Sequence, residues 1–289
     1  MTQHDPAWLD VQYNNRARIP EHPQIFERWM RASALAREKL IGTLDIAYGS
    51  EPGETLDVFD ARRPGAPVLV FIHGGYWRSL DKREHSFVAP AFVDAGAAVV
   101  VPNYALCPAV TIEAIALQTT RALAWTFRNI ARHRGDPRRI VVAGHSAGGH
   151  LAAMLLACDW AKVGADLPAD LLRCAIAISG VFDLEPLVHT PFLLGDLRLT
   201  AESARRLSPA LYPPPPGTLY ALAGANESEE FLRQNRLIRE AWGALRVPVC
   251  ETVPGTNHLD VLIELADPQA RLHHLALELL GLEIPVPAA

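Results

Sequence analysis

Residues 139–157 read RIVVAGHSAGGHLAAMLLA, and their reading decides the fold. The stretch opens on the apolar run Ile140-Val141-Val142-Ala143. It passes through Gly144-His145-Ser146-Ala147-Gly148 and continues as an Ala/Leu-rich segment of helical character. G-x-S-x-G has catalytic meaning only between a strand and a helix, which is the context here. The turn must be sharp enough to lift the serine hydroxyl clear of the backbone. Side chains two residues before or after the serine would collide with neighbouring elements, so glycine is needed at both places. Taken alone, the stretch also fits a Gly-rich strand-to-helix turn without chemistry, and the surrounding chain has to decide.

Working outward, apolar strands are expected at 68–72, 97–101, 174–179, 218–223 and 249–253, with two shorter ones at 44–48 and 55–59. Helical periodicity marks 111–133, 229–242 and 259–280. Strands alternating with helices give an α/β protein: a mainly parallel central sheet with helices on both faces. Residues 44–284 form this domain. Ahead of it, residues 1–23 read as an extended, Pro-containing arm and 24–40 as an amphipathic helix, packed on the domain or roofing its site. Residues 183–216 are Pro-rich and too long for a plain connection, which makes them a lid-like insertion. The run Pro213 to Pro216 within it reads as a stiff surface linker.

The bulk numbers exclude other classes. The chain has 289 residues, 49% hydrophobic and 20% charged, with a net charge of −5 and no block of like charge, so no nucleic-acid partner is expected. Four scattered cysteines give neither a disulfide framework nor a zinc site. The polar N-terminus does not read as a signal peptide, and no long apolar run suggests a membrane span. The expected setting is cytoplasmic. The expected partners are a small-molecule substrate and, at most, a second copy of the chain as a homodimer. No cofactor and no metal are called for, since no H-E-x-x-H or similar ligand spacing occurs.

A serine hydroxyl needs a base within reach and a group that orients the base. In an open parallel sheet these groups belong at the carboxyl ends of strands. His258, in the loop after strand 249–253, is the only histidine beyond Ser146 that sits in such a loop, and is taken as the base. His150, His189, His273 and His274 fall elsewhere. For the orienting acid, Glu227 is the first carboxylate after strand 218–223. Asn226 beside it carries no charge, Glu229 and Glu230 suit a helix N-terminus, and Asp260 is the runner-up. The order Ser…Glu…His is that of α/β-hydrolases. The oxyanion donors expected are the backbone N–H groups of Gly75, Tyr76 and Ala147. Tyr76, Trp77, Phe182 and Phe192 are expected to line the substrate pocket, while Arg78 reads more readily as a surface charge than as a carboxylate ligand.

With these residues in place, the chain resembles the α/β-hydrolases, and within them the arylformamidase (kynurenine formamidase-like) branch. The resemblance rests on His73-Gly74-Gly75-Tyr76-Trp77, Gly144-His145-Ser146-Ala147-Gly148-Gly149, the acid loop 227–234 and Asn257-His258-Leu259-Asp260. It covers about residues 44–282, and Gln12-Tyr13-Asn14-Asn15-Arg16 in the arm also looks family-like. The departure is glutamate where the family carries aspartate. The resemblance implies a Ser-His-Glu hydrolase that removes a small acyl, or formyl, group from an aryl amide or ester. The alternatives are a broad short-chain carboxylesterase and, more remotely, a non-catalytic ligand-binding hydrolase fold.

Overall fold

Strands buried on both faces carry apolar residues at every position, and here such runs pair side by side. In the computed structural model, which describes residues 5–284, eight strands form one sheet. They are β1 (Gly42–Ala47), β2 (Thr55–Phe59), β3 (Ala66–Ile72), β4 (Ala98–Pro102), β5 (Gly135–His145), β6 (Cys174–Ile178), β7 (Thr218–Gly224) and β8 (Val249–Val253). Their order is β1-β2-β4-β3-β5-β6-β7-β8. β2 runs antiparallel to β1 and β4, and the remaining neighbours are parallel.

The helices are α1 (Pro6–Tyr13), α2 (Asn15–Arg18), α3 (His22–Lys39), α4 (Ala89–Ala95), α5 (Ile112–Asn129), α6 (Ala147–Leu156), α7 (Trp160–Val163), α8 (Pro191–Leu197), α9 (Ala201–Arg206), α10 (Glu229–Trp242), α11 (Ile263–Ala266) and α12 (Arg271–Leu280). Alternation along each strand divides the core into two layers. Val68, Val70 and Ile72 of β3 pack with α5, α6 and α10, whereas Leu69 and Phe71 pack with α3, α4 and α12. Both faces of the sheet are therefore covered, and its carboxyl ends are left to carry the site.

Three segments differ from their sequence reading. The arm is helical rather than extended over α1 and α2. The Asp5 carboxylate caps the Trp8 N–H (3.3 Å), and Pro6 stands at the first helical turn, where its missing N–H costs nothing. The insertion 183–216 is built of α8, α9 and 3-10 turns, with α9 opened by a reciprocal cap between Thr200 and Ser203. The long helix expected over 259–280 is instead a 3-10 turn, α11 and α12, broken at Asp267-Pro268 because proline cannot continue a helix. α4 had no counterpart in the sequence reading. Among the described residues no helix is long and apolar enough to cross a membrane. No cluster of three or more His, Cys, Asp or Glu there could hold a metal ion.

Candidate active site

Ser146 sits between the end of β5 and the start of α6 with φ 57° and ψ −116°. Such a backbone is unfavourable for a side-chain-bearing residue and persists only where the surroundings over-determine it. They do so here. The Ser146 N–H donates to the Ile178 carbonyl at 2.8 Å. The elbow is also too tight for side chains: a Cβ at Gly144 would lie 2.0 Å from the Gly148 carbonyl oxygen, and one at Gly148 would lie 2.0 Å from that of Ile72. The strand–turn–helix context expected for G-x-S-x-G is thus present, and the first N–H groups of α6 point out from the helix N-terminus.

His258 and Glu227 meet at the ends of β8 and β7. Glu227 Oε2 accepts from His258 Nδ1 at 2.6 Å, and both side chains are nearly or fully buried. This contact fixes the tautomer: Nδ1 carries the proton, leaving Nε2 as the basic nitrogen. The other carboxylate oxygen, Oε1, accepts from the Gly224 N–H (2.6 Å) and from Ser179 Oγ (2.5 Å). The imidazole of His258 is gripped between Phe231 (centroids 4.4 Å) and His145 (4.8 Å). His145 Nε2 lies 2.7 Å from the His258 carbonyl oxygen, to which it donates. Burial first, and then the neighbouring His258, hold His145 well below the ordinary histidine pKa, so it is a neutral strut.

The loop after β3 turns back at Gly75, which has φ +106° and would meet the Ser79 carbonyl oxygen at 2.1 Å if it carried a Cβ. Tyr76 and Trp77 follow with φ 51° and 55°. The Gly75 carbonyl accepts from the N–H groups of Arg78 (3.1 Å) and Ser79 (3.0 Å), which closes the turn. Among the described residues no hydrogen bond engages the N–H of Gly75, Tyr76 or Ala147. His73 holds the loop from below. It stacks on Tyr104 at 4.2 Å, and its Nε2 lies 3.0 Å from Asn103 Oδ1, while the Tyr104 hydroxyl donates to the His73 carbonyl at 2.8 Å.

Ser146, His258, Gly75, Tyr76 and Phe192 all line one cavity of about 60 Å³. Trp77 and Phe182 do not. Trp77 is fully buried against His150 (centroids 5.0 Å), and Phe182 is fully buried in the core, so the expectation that they line the pocket is corrected. Consecutive left-handed residues at 76 and 77 send the two rings to different places, a feature invisible in the sequence. Asp260 is held by Asn257 Nδ2 (2.6 Å) at the start of a 3-10 turn, and Asn226 donates its N–H to the Thr256 carbonyl, so neither stands where Glu227 does. His150 donates to the Leu207 carbonyl (2.8 Å) and burial lowers its pKa to about 4.

The sequence reading left the arm's position open, and the structure places it over the cavity. Asn14, Asn15 and Arg16, with Phe26 and Trp29 of α3, complete the wall. The arm is docked by Tyr13, whose hydroxyl donates to Glu230 Oε2 (2.6 Å) and accepts from Gln234 Nε2 (3.1 Å). The missed support Ser179 carries no sequence motif of its own, while Phe231 and Glu230 fall in the acid loop 227–234 without their roles being legible from it. Glu230 was legible only as a helix-terminal charge. A larger groove of about 680 Å³ lies at the opposite, amino-terminal ends of β6 and β7, beside Pro213 to Pro216. It holds none of these converging polar groups, and size alone does not make a site.

Comparison with known proteins agrees with this geometry. The BD-FAE family model matches residues 56–164, which span the His73 loop and the serine elbow. The kynurenine formamidase of Danio rerio is 30% identical over 247 residues, 82% of each chain. The chain belongs to the kynurenine-formamidase-like α/β-hydrolases. The hydrolase is likewise 29% identical over 238 residues to the kynurenine formamidase of Drosophila melanogaster, with 78% and 77% of the two chains covered. It superposes on a crystal structure from Silicibacter sp. tm1040 with TM-score 0.82 and 30% identity, over 91% of this chain and 97% of that one. A Pyrobaculum calidifontis esterase, at 17% identity and TM-score 0.67 over 90% and 93% of the chains, shares the fold. This is an enzyme of the α/β-hydrolase type.

Proposed function

We propose that the hydrolase removes small acyl groups from esters by a two-step transfer through Ser146, with His258 as base, Glu227 as orienting acid and the N–H groups of Gly75, Tyr76 and Ala147 as oxyanion donors. The observation that carries this reading is the 2.6 Å contact between Glu227 Oε2 and His258 Nδ1, because it leaves Nε2 basic in the cavity that also holds Ser146. His258 takes the Ser146 proton as the hydroxyl attacks the carbonyl carbon. Negative charge develops on the carbonyl oxygen and is met by backbone donors already in place, which need no reorganisation. His258 then gives its proton to the leaving oxygen. A water deprotonated by the same nitrogen attacks the acyl-enzyme, and the acid departs as Ser146 regains its proton.

The size of the cavity supports a short acyl chain. About 60 Å³ is well below the roughly 300–1,000 Å³ of a pocket for a drug-sized ligand. Tyr76 and Phe192 meet edge to face at 5.8 Å, and such an aromatic wall suits a flat leaving group. A second reading, cleavage of an aryl formamide, is favoured by one observation: the relatives matched over most of their length are kynurenine formamidases. The machinery is the same, and the leaving atom is nitrogen instead of oxygen.

The test is turnover of p-nitrophenyl acetate and of an N-formyl arylamine by the wild type and by Ser146→Ala. The variant should lose on the order of 10³-fold or more on whichever substrate is cleaved. Near-wild-type turnover by Ser146→Ala would refute the mechanism, and the ratio of kcat/KM between the two substrates chooses between the readings.

A further inference from the structure

The loop after β3 is strained, and the chemistry above does not account for what holds it. Gly75, Tyr76 and Trp77 all have positive φ, as does Leu80 at 72°. Side-chain-bearing residues persist in such a backbone only where their surroundings over-determine it. The loop also passes directly against the nucleophile: a Cβ on Gly74 would lie 3.0 Å from Ser146 Cβ.

The peptide between Gly75 and Tyr76 joins the strain to the chemistry. It is trans, so it is planar and its C=O and N–H point in opposite directions. Whatever fixes the Gly75 carbonyl therefore aims the Tyr76 N–H. Three donors meet that carbonyl, and two of them belong to Ser79. Its N–H and its Oγ each donate at 3.0 Å, with the Arg78 N–H at 3.1 Å as the third. A serine hydroxyl has a single proton to give. Arg16 of the arm donates to Ser79 Oγ at 3.1 Å, which engages the hydroxyl as an acceptor and leaves its proton for Gly75. A second tie to the arm runs from the Tyr76 hydroxyl to the Tyr13 carbonyl at 2.6 Å. Arg16, Ser79, Gly75 and Tyr76 line the same cavity as Ser146.

We propose that Ser79 is a positioning residue of the oxyanion hole. Oriented by Arg16, its hydroxyl fixes the peptide between Gly75 and Tyr76 so that the Tyr76 N–H faces the oxygen on which charge develops. This rests on the acyl-transfer reading of Ser146. Hydrogen bonds in series polarise one another, so a donor on the carbonyl also strengthens the N–H at the other end of the same peptide. The donor is then in place before the reaction. Through this chain the arm serves catalysis without touching the reacting atoms.

The experiment measures p-nitrophenyl acetate turnover, and inhibition by an aryl trifluoromethyl ketone, in the full-length wild type, Ser79→Ala, Ser79→Thr, Arg16→Ala and the variant carrying both alanines. Ser146 Oγ adds to the ketone carbon as its proton passes to His258, and the carbonyl oxygen takes the negative charge. A whole oxyanion donor is worth about 10²–10³-fold. Ser79→Ala, which displaces one, should lower kcat roughly 10–100-fold with KM held, because acylation and deacylation both pass through an oxyanion. Inhibition by the ketone should weaken by a similar factor, since it too depends on the charged tetrahedral state. A smaller folded fraction would lower kcat but leave the inhibition constant unmoved, so a fall in both separates positioning from loss of fold. Ser79→Thr keeps the hydroxyl and should recover most of both. Arg16→Ala should lower both by less, and should add little in the double variant. It also reads the same chain from outside the loop if Ser79→Ala does not fold. Unchanged kcat and inhibition in Ser79→Ala overturn the proposal. So does a loss carried by KM alone, which would make Ser79 a substrate contact, and additive losses in the double variant remove Arg16 from the chain. If the wild type neither cleaves the ester nor binds the ketone, the acyl-transfer reading itself falls; if it does both and Ser79→Ala matches it, only the positioning role falls.

Discussion

Replacing Glu227 by glutamine tests the site at its most constrained point. The carboxylate accepts on both oxygens: Oε1 from the Gly224 N–H and Ser179 Oγ, Oε2 from His258 Nδ1. A glutamine has one acceptor end and one donor end. If its oxygen faces His258, its NH₂ group confronts the Gly224 N–H, donor against donor in a buried place, at a cost of about 1–3 kcal/mol. If its oxygen faces Gly224, its NH₂ group confronts His258 Nδ1 and drives the proton to Nε2, so the ring can no longer accept from Ser146. Either arrangement also removes the negative charge that steadies the imidazolium. Loss of the tautomer in a serine triad costs about 10⁴-fold, so kcat/KM should fall by about 10³–10⁴, equivalent to roughly 4–5.5 kcal/mol of transition-state stabilisation. The assay is p-nitrophenyl acetate turnover, with circular dichroism showing that the variant is folded. Glu227→Asp, which keeps the charge on a shorter arm, should retain more activity than Glu227→Gln. A loss below about tenfold in a folded Glu227→Gln would refute the assignment and return attention to Asp260.

Two further outcomes concern the scaffold. Tyr13→Phe removes the hydroxyl that joins α1 to Glu230 and Gln234 on α10. It should cost about 1–3 kcal/mol in urea denaturation, and an unchanged midpoint would show that the arm is held by its apolar contacts alone. Stability should also fall as the pH drops below about 6.5. Burial lowers the pKa of His73 and His145, takes His85 to about 3 and His150 to about 4, and so keeps these rings neutral in the folded state. The unfolded chain binds protons there first. The stabilisation is therefore full above the unfolded histidine pKa of about 6.5 and is lost progressively down to the folded values, at up to about 1.4 kcal/mol per pH unit for each ring. Glu84 and Glu264, whose carboxyls are raised by burial, offset part of the loss. A melting temperature that stays flat from pH 7 to pH 4.5 would contradict this account.

Much of the site could be read from the chain because each of its parts follows a strand whose pattern is unambiguous. The runs within β3, β5 and β7 are apolar at nearly every position, so their ends can be placed closely, and a residue just past such an end must lie at one edge of the sheet. Ser146, Glu227 and His258 were legible for this reason, as were the glycines that let the backbone turn beside them. Trp77 shows the limit of the approach. Its sequence neighbour Tyr76 lines the cavity with the same left-handed backbone, yet Trp77 is buried in the core. Phe182 was misplaced in the same way, since its aromatic character says nothing about which side of the loop it packs on.

The sequence by itself determined the α/β architecture, the serine-bearing turn and the placing of Ser146, Glu227 and His258 just past strand ends, because these depend on local periodicity and on glycine where a side chain cannot fit. Only the tertiary structure decided that the polar N-terminal arm folds into short helices and lies over the cavity. Its place is set by contacts more than two hundred residues apart in the chain, Tyr13 with Glu230 and Gln234 among them, and no local pattern can encode a partner at that distance. The same long-range packing brings Asn15 and Arg16 to the wall of the cavity that Ser146 and His258, far along the chain, also line.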